Sequence, residues 1–268
     1  MTDFDTTFTA KPPIIGMVHL LPLPETPHFG GDLSALYDRA EQDAGALIQA
    51  GTDALIIENF GDEPYFIGEP TPAQFAVMAR AVNQIRQMTD MPIGINVQFN
   101  AWQAELALAY ACRAQFVRVE VFVDTVVSAQ GTVHPCSAQI MRYRRALGAA
   151  DVQIWADIQT KYTQNLLQQP ITQSARDAVN AGADVIIITG AATGQETPLS
   201  VVQEVKNVCS IPVLVGSGTT QKTLPDVLAR ADGAIVGSAL KEDSLASNPV
   251  SLSRTQLFMD TVRSLREN

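Results

Sequence analysis

The chain is poor in cysteine, histidine and basic charge, and each scarcity excludes something. Three cysteines in 268 residues, Cys112, Cys136 and Cys209, share no CxxC spacing. That number and spacing support neither a disulfide framework nor a zinc site, and they fit a reducing compartment. No apolar run approaches the roughly 18–20 residues that a membrane-crossing helix needs. Residues 1–11 are polar and acidic, without the apolar stretch of a signal peptide. Basic residues are outnumbered: 18 Lys and Arg stand against 28 Asp and Glu, for a net charge of -10. That balance argues against a nucleic-acid surface and against electrostatic docking on anionic lipid. GxGxxG, Walker and HExxH patterns are all missing, so no cofactor and no metal is assigned.

What is present is alternation. Short buried-type runs recur at Ile14–His19, Ala54–Glu58, Ile93–Val97, Phe116–Val121, Val152–Asp157, Val185–Thr189, Val213–Gly216 and Ala234–Val236. Near-continuous apolar runs of this length suit strands buried on both faces of a parallel sheet. Amphipathic stretches fill the gaps. One places Leu33, Leu36, Tyr37, Ala40, Ala44, Leu47 and Ile48 on a single face and stops at Gly51. Another opens with Thr71-Pro72-Ala73-Gln74, a capping box with proline at the first helical position. Thr197-Pro198 reads as a similar start, and Pro225 falls early in the seventh helix. "AGTDALII", "AGADVIII" and "RADGAIV" share one design: a helix ends, the chain turns, and an Asp precedes a buried strand. Repeated units of this kind with right-handed crossovers close most simply into a (β/α)8 TIM barrel, with an open doubly wound sheet as the minor alternative. Residues 1–12 are expected to be a flexible lead-in and residues 13–268 a single domain.

In such a barrel the C-terminal strand ends carry the chemistry. Read in order, they supply His19, Glu58 with Asn59, Asn96 with Asn100, Arg118 with Glu120, Asp157 with Lys161, and Thr189 with Gly190. His28 and His134 fall in loops on the same side. Barrels also seal their upper layer with hydrogen-bonded polar groups, so any one of these has a structural reading. The ring as a whole favours a ligand site. The last two strands end in Gly216-Ser217-Gly218 and Gly237-Ser238. Phosphate sites in these barrels use the loops after strands seven and eight, where glycine lets backbone N–H groups approach an anion. Tight turns and helix starts favour Gly and Ser without a ligand too. Lys222 and Lys241 nearby read as solvated, and so does Lys161, which would suit a Schiff base only if desolvated. Thr189-Gly190-Ala191-Ala192-Thr193-Gly194 forms a third small-residue loop.

"PIIGMVHLLPLP" and "DALIIENFGDEPYF", with "FVRVEV", "YRRALGA", "VLVGSGTT" and "ADGAIVGSALK" following in order, resemble the BtpA family from about Pro13 to Arg263. The resemblance implies a phosphate-binding type of barrel. For cyanobacterial members it implies a part in photosystem I biogenesis or stability, hence photosystem I or its assembly factors as partners. It also implies a cytoplasmic location, peripheral on the cytoplasmic face of the thylakoid membrane. The chain departs from the family pattern at Ala101, Glu120, Tyr162 and Ala192, where other polar or basic residues are usual.

Two readings follow. One is an accessory barrel supporting photosystem I. The other is an enzyme acting on a small phosphorylated sugar or nucleoside-like substrate, with Glu58 or Asp157 as base, His19 as acid or electrostatic partner, and Glu120 stabilising charge. A divalent ion on His19, Glu58, Glu120 and Asp157 is the lesser alternative. Homo-oligomerisation is compatible with either.

Overall fold

Three aspartates at the bases of strands show how local sequence sets the frame. The structure, a computed structural model, describes residues 3–190 and 192–267. Met1, Thr2, Ala191 and Asn268 therefore lie outside the described residues. In it Asp53, Asp184 and Asp232 each accept the N–H of a neighbouring strand's first residues, from Ile14 at 2.7 Å, Ile154 at 2.8 Å and Val213 at 2.9 Å. Arg266, Arg144 and Lys206 pair with the same three carboxylates. The repeated Gly/Ala-turn-Asp motif is thus a strand-joining device on the stability face of the barrel.

The strands are β1 (Ile14–His19), β2 (Ala54–Glu58), β3 (Ile93–Asn96), β4 (Phe116–Val119), β5 (Val126–Ser128), β6 (Gly131–Val133), β7 (Gln153–Asp157), β8 (Gln164–Asn165), β9 (Val185–Ile188), β10 (Val213–Val215) and β11 (Ala234–Val236). Eight of them close a parallel barrel in the order β1-β11-β10-β9-β7-β4-β3-β2. Every sequence-expected strand is found, with ends shifted by no more than two residues. The helices are α1 (Asp3–Thr7), α2 (Leu33–Ala50), α3 (Pro72–Met88), α4 (Trp102–Cys112), α5 (Ser137–Leu147), α6 (Ile171–Ala181), α7 (Leu199–Lys206), α8 (Leu224–Leu228) and α9 (Leu252–Arg266). Gly51 ends α2 in the left-handed conformation, and Thr71 and Gln74 form the expected capping box on α3. Thr197 does not cap α7. Its hydroxyl instead donates to the Ser217 carbonyl at 3.1 Å, tying two rim loops together. Pro225 lies in the first turn of α8, where its missing N–H costs nothing.

Outward strand residues pack against the helices, and inward ones fill the barrel around Phe116 and Trp155, stacked at 3.7 Å. Gly94 is required by this filling: a Cβ there would stand 2.0 Å from the Phe116 ring. Gly94→Ala is expected to destabilise the chain by about 1–3 kcal/mol or more, since the stacked ring cannot withdraw; urea unfolding reads this directly.

The segment expected to be a flexible lead-in is not loose over its described part. Phe4 and Phe8 are buried, with ring centroids about 6 Å from Trp155. Thr7 Oγ1 accepts from Gln153 Nε2 at 2.8 Å. Helix α1 therefore plugs the lower mouth. At the upper end, β5, β6 and β8 form a three-stranded antiparallel sheet that arises from the loops after β4 and β7. Val126 and Val133 of that sheet pack on Phe99 and Val121.

Candidate functional site

Register brings the first three strand ends side by side: His19 pairs with Glu58 and Glu58 with Asn96. What those side chains face is decided by their hydrogen bonds. One cavity at the upper rim is lined by His19, Glu58, Arg118 and Lys161, and by Gly216, Ser217, Gly218, Gly237 and Ser238. It therefore joins both Gly-Ser turns to one acid, one imidazole and two basic groups.

His19 stacks on Phe60 at 4.3 Å, and its Nδ1 lies 2.8 Å from the Ala246 carbonyl. A carbonyl only accepts, so Nδ1 carries the proton and Nε2 the lone pair. Burial, and next the charge of Lys241, pull its pKa well below the ordinary imidazole value. Of the two roles expected for His19, acid or electrostatic partner, the neutral ring with its lone pair at Nε2 suits the second, as an acceptor. Glu58 accepts a hydrogen bond from Gln98 Nε2. Arg118 clasps Asp157 through two bonds, Nε to Oδ1 at 3.0 Å and Nη2 to Oδ2 at 2.9 Å. Thr160 donates to the same carboxylate at 3.2 Å. Asp157 is thus engaged as a counter-ion and is not a free base.

Lys161 corrects another expectation. Read as solvated, it is largely buried between two cavities, and burial followed by the Arg118 charge lowers its pKa. Its ammonium donates to the Thr193 hydroxyl at 3.2 Å and, among the described residues, forms no ion pair. Lys241 is also not solvated: it is fully buried and pairs with Asp43 at 3.4 Å. Lys222 is exposed, as are His28 and His134.

The remaining rim residues turn away from this cavity. Asn59 donates to Asp62 at 2.9 Å and accepts from the Gln98 backbone, fixing the loop after β2. Asn100 accepts from Val121 N, and its own N–H donates to Glu120. Asn96 Nδ2 bridges Glu120 at 2.7 Å and Glu105 of α4 at 3.2 Å. Asp157 and Glu120 still feel each other's charge, and both lie near Arg118. Glu120 crowds Glu105, which sequence reasoning missed because helix α4 hides it inside an apolar run. Burial and the Glu120 charge raise the Glu105 pKa well above its ordinary value; burial also pushes Glu120 up to about 7. Glu105 Oε1 accepts from Asn96 Nδ2 and Val97 N while Oε2 is buried without a partner, which leaves Oε2 as the place for a retained proton. The unfolded chain releases that proton near the ordinary carboxyl pKa while the folded chain keeps it. Stability should then fall as pH rises from the ordinary carboxyl range toward about 7, the Glu120 value, by up to ~1.4 kcal/mol per unit. Glu105→Gln is expected to reduce that slope in urea titrations, leaving the part due to Glu120.

The first Gly-Ser turn also has structural duties. Ser217 Oγ accepts from Gly190 N at 2.9 Å and donates to the Gln195 carbonyl. Gly218 has φ +73°, and a Cβ there would sit 2.2 Å from the Gln195 oxygen. Valine at Gly218 would therefore displace the loop after β9 whether or not an anion binds. Thr189 sits beside Gly216, its hydroxyl buried without a partner. Among the described residues, the N–H groups of Ser217, Gly218 and Ser238 have no backbone acceptor. The rim thus offers backbone donors together with cations. Among the described residues no group of three His, Cys, Asp or Glu side chains is placed to hold a metal ion. No helix among them is long and apolar enough to cross a membrane.

Comparison with solved structures finds the same closed barrel fold. The (S)-3-O-geranylgeranylglyceryl phosphate synthase from Thermoplasma acidophilum, in complex with sn-glycerol-1-phosphate, superposes with a TM-score of 0.62 at 18% identity over 100% of both chains. Phosphoribosyl anthranilate isomerase from Thermus thermophilus gives 0.59 at 14% identity, over 94% of this chain and 99% of that one. At such identities the likeness is one of fold. Sequence relatives are nearer. The photosystem I biogenesis protein BtpA of Synechocystis is 35% identical over 97% of this chain and 91% of its own length. An uncharacterized protein of Pyrococcus abyssi is 38% identical over 95% of this chain and 97% of its own. An uncharacterized mitochondrial protein of Caenorhabditis elegans is 31% identical over 96% and 95%. A sequence profile described as the BtpA family matches residues 10–264. With that span and these identities, the chain belongs to the BtpA family.

Proposed function

We propose that this protein is an enzyme that binds a small phosphorylated metabolite at the upper rim of its barrel. The observation that carries the reading is Lys161: a largely buried ammonium without an ion-pair partner among the described residues, at a cavity walled by two Gly-Ser turns. A cation held that way is stabilised by an incoming anion, and backbone N–H groups at close range suit phosphate oxygens. Arg118, with Asp157 as its fixed counter-ion, adds positive potential at the same wall. Glu58 is the carboxylate best placed to take a proton, and neutral His19 offers Nε2 as an acceptor for a ligand hydroxyl. Asn59, Asn96, Asn100, Glu120 and Gly190 serve in this reading by fixing the loops.

Photosystem I biogenesis is the second reading, favoured by the name of the Synechocystis relative, and peripheral thylakoid attachment would accompany it. Archaeal and nematode relatives at similar identity favour a shared activity that does not depend on photosynthesis. An assembly defect can follow from a missing metabolite, so the first reading accommodates the second. Mass spectrometry of the protein purified from its host tests the choice. A phosphorylated small molecule released on denaturation is the expected result. Recovery of photosystem I subunits with no such molecule would overturn it.

A further inference from the structure

Beside the phosphate-type cavity lies a larger chamber of about 290 Å³, and the two share Phe60, Lys161 and Thr193 as walls. Four rings line the chamber: Phe60, Tyr65, Phe99 and Tyr162. Both phenol oxygens are held within the protein, although the Tyr162 O–H can still donate. Tyr65 OH donates to the Phe60 carbonyl at 2.8 Å, and Tyr162 OH accepts from Thr193 N at 2.7 Å. What these rings leave for a ligand is chiefly π-surface, which suits a flat aromatic partner. Gln98 and Gln130 stand among them, and a carboxamide both donates and accepts. An alkyl chain has no use for such groups, whereas the edge of a heteroaromatic ring does. The small sheet of β5, β6 and β8 supplies part of this chamber through Ser128, Ala129 and Gln130, residues that the barrel itself does not need.

We infer that the chamber receives a heteroaromatic ring and that the ligand is a nucleoside 5′-monophosphate or a close analogue, its phosphate against the Gly-Ser turns. The inference rests on the phosphate reading above and adds the class of molecule. Lys161, at the shared wall, stands where the ring and phosphate halves of one molecule would meet.

Calorimetric titration with a purine and a pyrimidine ribonucleoside 5′-monophosphate, with ribose 5-phosphate and with inorganic phosphate tests it. At least one nucleotide should bind roughly tenfold or more tightly than ribose 5-phosphate. Ala129→Trp adds bulk at an exposed position and leaves the Ser128 hydrogen bonds of the turn in place, so it should fold and narrow the chamber. It should weaken the nucleotide by about tenfold and leave ribose 5-phosphate unchanged. Equal affinity for nucleotide and ribose 5-phosphate, or a nucleotide affinity untouched by Ala129→Trp, would overturn the inference and leave the phosphate reading standing. Absence of binding by every phosphorylated probe would remove both.

Discussion

Lys161→Met is expected to cost the protein its affinity for phosphate monoesters while leaving the fold intact. A charge-assisted hydrogen bond to a ligand phosphate is worth about 1.5–3 kcal/mol, so ribose 5-phosphate should bind roughly tenfold to a hundredfold more weakly. Stability should move the other way. The folded pKa of Lys161 lies below its unfolded value, through burial first and Arg118 second. For a lysine shifted down, the favourable contribution exists above the unfolded pKa and is lost as pH falls through the folded one. Near neutral pH the wild-type chain therefore carries a cost that methionine, similar in length, does not. Thermal melts without ligand should show an equal or higher midpoint for Lys161→Met. Unchanged affinity, or a large fall in the midpoint, would place Lys161 among the structural residues.

Asp157→Asn should have the opposite profile: a large loss of stability. It leaves the Arg118 guanidinium, only 3% exposed, without its counter-ion. Removing one member of a buried pair typically costs about 3–5 kcal/mol, whereas replacing both by apolar groups is often near neutral. Arg118→Leu should be comparably harmful, because it strands the carboxylate. The double variant Arg118→Leu with Asp157→Leu should recover more than half of either loss in urea unfolding. A cost below about 1 kcal/mol for Asp157→Asn would mean that water already screens the pair.

Much of the barrel is legible because its signals are local. A buried strand needs a short apolar run, and eight such runs are present and found. Thr71 and Gln74 meet across three residues, so their capping box can be read directly. The site is less legible because its partners are distant in sequence. Lys241 looks like a solvated lysine beside a Gly-Ser turn until Asp43, 198 residues earlier, is seen to receive it. Asn96 and Glu120 sit at strand ends as expected. Their orientation is nevertheless decided by Glu105, a single acid inside the apolar stretch of α4. Phe4 and Phe8 read as isolated aromatics in a polar tail, and their burial depends on Trp155 across the chain. Strand parity identifies which residues point inward. Beyond the last paired residue, loop hydrogen bonds decide whether a side chain meets the cavity, as with Asn59, or Asn100 at φ +60°. The aromatic chamber had no sequence signature, because its rings come from loops after three different strands.

The two Gly-Ser turns and Lys161 are proposed to hold a phosphate together. A crystal structure of the protein with ribose 5-phosphate bound tests this through the position of the phosphorus atom. A phosphate is expected between Gly216–Gly218 and Gly237–Ser238, accepting hydrogen bonds from the N–H groups of Ser217, Gly218 and Ser238 and from Lys161 Nζ. A phosphate bound elsewhere on the molecule, or a rim that stays free of it at saturating concentration, would contradict the account.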